Sequence, residues 1–131
     1  MSPRFQTKLL IRDGRPAAFA AAGATLHART LSDAEFGQEL RRKLAEEAQE
    51  ASTAAPTELA KELADVWEIM QALAQHHGLS MSDIESQAEA TRARLGGFTQ
   101  RVFSEWIEAP EGHETTLYHR RYPAKYPEIK G

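Results

Sequence analysis

Glu46-Glu47-Ala48-Gln49-Glu50 and Glu62-Leu63-Ala64-Asp65 are two acidic runs, separated by the small-residue stretch Ala51 to Ala55 and closed by Pro56-Thr57. Pro56 cannot donate to a helix ladder, so one continuous helix through both runs is disfavoured. Two antiparallel helices joined at that proline bring the acids level with one another. Glu50 and Glu62 each lie six residues from Pro56, and Glu47 and Asp65 each nine. At ~1.5 Å rise per residue the two facing pairs are then roughly 4.5 Å apart along the hairpin. Four carboxylates converging across one helix pair predict a cage for hard divalent cations.

The flanking sequence supports the hairpin. Ser32-Asp33-Ala34-Glu35 has the pattern of a capping box, and Phe36, Leu40, Leu44, Ala48 and Ala51 recur at helical steps behind it. That spacing predicts a long helix through about Ala51. A second is expected from near Thr57, carrying Leu59, Leu63, Val66, Ile69, Met70 and Leu73. Trp67 and Ala74 lie beside its stripe, so it is expected to be buried over much of its circumference. Gly78 ends it, with His76 and His77 in the last turn, where imidazolium suits the helix dipole. Ser80 or Ser82 caps a third helix from Met81 to Leu95, stopped by Gly96-Gly97. Upstream, Pro16 to Ala22 forms a short helix ended by Gly23, and Lys8 to Asp13 is either extended or the lead into it.

Ala24 to Leu31 and Phe98 to Ile107 are expected to be extended. The fold class is all-α: a helical hairpin core contributing to a dimeric four-helix bundle, with short extended N- and C-terminal arms. Residues 1–108 form the domain, and 109–131 a tail that is either mobile or packed on a partner subunit.

The totals narrow the class. The 131 residues carry a net charge of −3 and no cysteine, which excludes thiolate metal sites and a Cys nucleophile and argues against a nucleic-acid binder. Tyr118-His119-Arg120-Arg121-Tyr122 mixes aromatic and basic residues as single-strand binders do, but Glu114 and Glu128 offset the tail's cations. No apolar run is long enough for a membrane span, and the first residues lack the pattern of a secretory leader. A cytoplasmic protein is expected.

The acids have an ordinary reading as a solvated face, because Arg42–Glu46, Lys43–Glu47 and Lys61–Asp65 are spaced four apart. Three features oppose it. Glu47 projects from nearly the same face as Leu40 and Leu44, and a core-facing acid is costly unless paired or bound to a metal. Glu46–Glu50, Glu47–Glu50 and Glu62–Asp65 are like-charge neighbours, and the first helix holds its acids near its negative end. The level register has no reason to arise by chance. All-oxygen ligands suit Mg²⁺ or Mn²⁺. A di-iron bundle would want Glu-x-x-His, and Leu73 and Ala74 stand three before His76 and His77.

Glu46-Glu47-x-x-Glu50 followed by Glu62-x-x-Asp65 resembles the signature of the all-α nucleoside triphosphate pyrophosphohydrolases, a superfamily that includes MazG, the dimeric dUTPases, the dCTP pyrophosphatases and phosphoribosyl-ATP pyrophosphohydrolase. Lys8, Arg12-Asp13-Gly14-Arg15-Pro16, Lys43-Leu44-Ala45-Glu46-Glu47 and Gly96-Gly97-Phe98 are similar to its small house-cleaning branch, over roughly residues 7–103. Leu95 departs from the Arg that precedes Gly-Gly there, leaving Arg92 and Arg94 as the nearest cations.

The resemblance implies Mg²⁺-dependent cleavage of a nucleoside triphosphate to a monophosphate and pyrophosphate, serving nucleotide-pool house-cleaning. Glu47, Glu50, Glu62 and Asp65 are then the expected metal ligands and Glu46 the catalytic base. Lys8, Arg12, Arg92 and Arg94 are candidates for the phosphates, with Asp13 orienting Arg12. Trp67 is either core or a platform for a base. A homodimer or higher homo-oligomer is expected. Phosphoribosyl-ATP hydrolysis and a non-enzymatic helical interaction module are the alternatives.

Overall fold

The structure is a computed structural model and describes residues 2–131. It is all-α. Five helices make up the regular secondary structure of those residues: α1 (Arg15–Ala21), α2 (Asp33–Thr53), α3 (Leu59–His76), α4 (Met81–Leu95) and α5 (Glu114–Arg121). The chain divides into two compact units, one ending at Ala93 and the other running from Arg94 to Gly131.

In the first unit α2 starts where its cap dictates. Ser32 Oγ accepts from the Glu35 amide at 3.2 Å, and the Glu35 carboxylate accepts from the Ser32 amide at 3.2 Å. Two orphan amides of the first turn are thereby satisfied. Arg29 adds two hydrogen bonds to Glu35 at 2.7 and 3.1 Å. The Arg29 guanidinium and then the Ser32 groups hold the Glu35 carboxyl down at about 2.

α2 ends at Thr53, and α3 begins two residues later than the sequence suggested. Pro56-Thr57-Glu58 form a turn in which the Glu58 amide donates to the Ala55 carbonyl at 2.9 Å, so the first helical residue is Leu59. The packing of α2 on α3 is the main helix-to-helix interface. Its register is antiparallel: Glu47 meets Asp65, each nine residues from Pro56, and Gly37 meets His76, nineteen and twenty residues away. At the open end the His76 ring lies so close to Gly37 that an added Cβ would fall 2.9 Å from Nε2, and Phe36 meets the same ring edge-on at 5.3 Å. His76 is therefore packed between the helices. Gly78, at φ +71, then stops α3 in a conformation that suits glycine.

Two expectations need correction. The buried stripe of α2 runs through Gly37, Leu40 and Glu47, while Ala48 is exposed. α3 is not buried over most of its circumference in this chain. Only Ala74 is buried, and Leu63 and Trp67 remain 52% and 47% exposed, because α2 reaches only one side of the helix. α4 starts against α3, with Leu79 and Ile84 lining a groove shared with Met70, Leu73 and Ala74.

In the second unit residues 101–110 form no helix or strand, and Phe98, Val102, Phe103 and Trp106 are exposed. α5 was not legible from the Pro- and Gly-containing tail. It is capped by His113 Nδ1, which accepts from the Thr115 amide at 3.1 Å, and carries Glu114 first and Arg120 and Arg121 last, matching the dipole. Arg120 bonds Glu111 and Glu128 on either side of the helix, and Tyr126 packs 4.6 Å from His119.

Candidate functional site

Glu47 on α2 and Glu62 and Asp65 on α3 bring one carboxylate oxygen each to within 4.8 Å of one another. Glu47 stands at the third step of the buried face, seven residues after Leu40, so the rotation that hides Leu40 also hides Glu47. Glu62 and Asp65 are three apart and share a face of α3. Glu47 retains only 8% exposure.

Three cations border the triad. Arg12 reaches in from before α1, donating from Nη2 to Asp65 Oδ1 at 2.8 Å. Lys43 Nζ lies 3.4 Å from Glu47 Oε1 and 3.5 Å from Glu46. Lys61 Nζ is 3.5 Å from Glu62 Oε1 and 3.5 Å from Asp65 Oδ2. Only the Arg12 contact has good hydrogen-bond length. The lysine pairs leave Glu47 Oε2 and Glu62 Oε2 buried with no hydrogen-bond partner. A buried carboxylate oxygen without a donor carries a desolvation penalty of several kcal/mol, order of magnitude, unless something positive meets it. The all-oxygen donor set and these two orphaned atoms fit a hard divalent cation.

Glu50 lies outside the triad and is exposed, yet it feels the same charge. Its carboxyl is pushed up, first by the Glu47 carboxylate, with loss of hydration and the Glu62 charge adding to it. Glu46 is also outside, exposed and paired with Lys43; Arg42 turns instead to Glu39 at 3.4 Å.

Of the residues expected at the phosphates, Arg12 is the one at the carboxylates. Asp13 makes no hydrogen bond to Arg12 among the described residues. Lys8 is exposed, with a left-handed φ of +45. Arg92 is exposed on α4, and Arg94 belongs to the second unit. Lys43 and Lys61 are the site residues that sequence reasoning assigned only to surface pairing. Their i,i+4 spacing to Glu47 and Asp65 was the visible signal, but a pairing rule does not say that the partner is buried. Comparisons with protein-family models, curated proteins and solved structures find no match for this chain.

Proposed function

We propose that this protein is a Mg²⁺- or Mn²⁺-dependent nucleotide pyrophosphohydrolase of the MazG-like kind, converting a nucleoside triphosphate and water into a monophosphate and pyrophosphate. The observation that carries the reading is the carboxylate triad with Glu47 Oε2 and Glu62 Oε2 buried and unpartnered. The order of the acidic and Gly-Gly-Phe motifs supports it. Glu47, Glu62 and Asp65 would hold the cation, with Glu50 completing the shell from the next turn of α2. A bound divalent cation supplies positive charge to the polyphosphate and polarises the attacking water.

The chain's own residues do the remainder. Glu46, one position from the triad, accepts a proton from water attacking the α-phosphorus. Arg12, at the edge of the triad on Asp65, would meet the leaving phosphates, because phosphoryl transfer depends mainly on positioning and neutralised charge. The half-bare face of α3 fits a homodimer, in which a second hairpin covers Leu59, Leu63 and Trp67 to complete a four-helix bundle.

Pyrophosphate release measured across a nucleotide panel, phosphoribosyl-ATP included, with Mg²⁺ and with Mn²⁺, tests the reading. Turnover is expected only with a divalent cation and is expected to fall at least about 100-fold in Glu47→Ala and Asp65→Ala. Full turnover in either variant, or no turnover on any nucleotide, would sink it. Preference for phosphoribosyl-ATP would reassign the substrate.

A further inference from the structure

Every positive group at the triad except Arg12 comes from the same helix as its partner. Lys43 pairs along α2 and Lys61 along α3, whereas Arg12 and Asp65 are 53 residues apart. Arg12 sits on a segment with no helix or strand, just before the Asp13-Gly14 turn that leads into α1. Its side chain is 61% exposed while that of Asp65 is 23% exposed. It reaches from solvent onto one oxygen, Oδ1, of a carboxylate whose other oxygen faces Lys61.

Arg12 holds Asp65 Oδ1 at 2.8 Å, the shortest of the ion pairs at the triad, so a cation that takes that oxygen competes with the guanidinium for it. The Arg12 side chain is largely in solvent, so it vacates Asp65 by swinging away. Its planar fork then matches phosphate oxygens better than any lysine would.

We propose that Arg12 is an exchangeable counterion: it neutralises Asp65 in the metal-free protein and passes to the phosphates of the ligand when a divalent cation takes Asp65. The inference rests on the pyrophosphohydrolase reading and adds to it a coupling between metal and substrate. Because such coupling is reciprocal, the phosphates that hold Arg12 away also tighten the metal. Metal alone competes with Arg12; metal with polyphosphate does not.

Calorimetric titration of Mn²⁺ alone into wild type, Arg12→Gln, Arg12→Lys and Arg29→Gln tests this. Arg29→Gln removes the same charge from a pair with Glu35 outside the triad. Arg12→Gln is expected to bind Mn²⁺ roughly two- to fivefold tighter than wild type, the upper range an exposed ion pair allows. Arg12→Lys and Arg29→Gln are expected to stay within about twofold of wild type. Magnesium pyrophosphate, titrated separately, is expected to bind Arg12→Gln at least about tenfold more weakly than wild type.

Unchanged or weaker Mn²⁺ binding by Arg12→Gln would show that Arg12 organises Asp65 rather than competing for it, and would overturn the exchange. An equal gain in Arg29→Gln would overturn it too, by tracing the effect to overall charge. Wild-type protein that binds no divalent cation would remove the pyrophosphohydrolase reading as well. The two failures are thus told apart by wild type alone.

Discussion

At the scale of the residue, Gly37 and His76 set how closely the hairpin closes. The absent Cβ of Gly37 leaves room for a ring that also packs on Phe36 and His77 and lies 3.8 Å from Asp33. Gly37→Ala would recover up to about 1 kcal/mol of helix propensity but push the His76 ring out of a tight site, at about 1–3 kcal/mol. The variant is expected to melt lower than wild type. Adding His76→Ala to Gly37→Ala should bring the melting temperature back up, since the clash has no second party. A double variant no more stable than Gly37→Ala would show that the ring is not what Gly37 accommodates. His76 shows what a pattern of residues misses: its place in the last turn of a helix was legible, its role as a packing wedge was not. That role depends on what stands across the hairpin, here a glycine 39 positions earlier.

At the scale of the element, local chemistry wrote most of the helix boundaries. The capping box at Ser32, the glycine at 78 and the serine at 80 are short-range devices, and α2, α3 and α4 start or stop at them. Ser32→Ala is expected to cost about 1 kcal/mol, measured by denaturant unfolding. The same cap should be acid-sensitive. Glu35 titrates at about 2 in the folded protein instead of the ordinary 4.5, so its contribution is present above about pH 4.5 and is lost as pH falls through about 2. In Glu35→Gln the stability profile should be flatter across that window; an unchanged acid limb would place the sensitivity elsewhere. Pro56 marked the hairpin bend, while the start of α3 shifted to Leu59 because the Ala55–Glu58 turn holds the two residues after the proline out of the helix. α5 escaped notice for a different reason. It is held by Arg120 to Glu111 and Glu128 and by Tyr126 on His119, contacts up to nine residues apart that no helical period contains.

At the scale of the whole molecule, the core is small for 131 residues. Leu40 and Ala74 are the buried apolar residues among those described, while Leu59, Leu63 and Trp67 stand on one stretch of α3. A chain of this length ordinarily buries a larger share of its surface, and a contiguous apolar stretch marks a place for another surface. With the dimeric bundle of the proposed function, Trp67→Glu is expected to give a smaller particle in light scattering while keeping wild-type helicity by circular dichroism. A wild type that is monomeric at all concentrations would remove the dimer. No helix among the described residues is long and apolar enough to cross a membrane.

Sequence alone determined the helical class, the hairpin about Pro56 and the level placing of Glu47 with Asp65, because each follows from periodicity, breakers and counting along a helix of known rise. Only the tertiary structure decided which acids converge and which cations answer them. The helical repeat fixes the angles between Glu46, Glu47 and Glu50, but packing sets which of them faces α3, and Arg12 arrives from 53 residues away. Spacing along one helix says which residues share a face. It does not say what that face meets, and the properties of this site reside in that meeting.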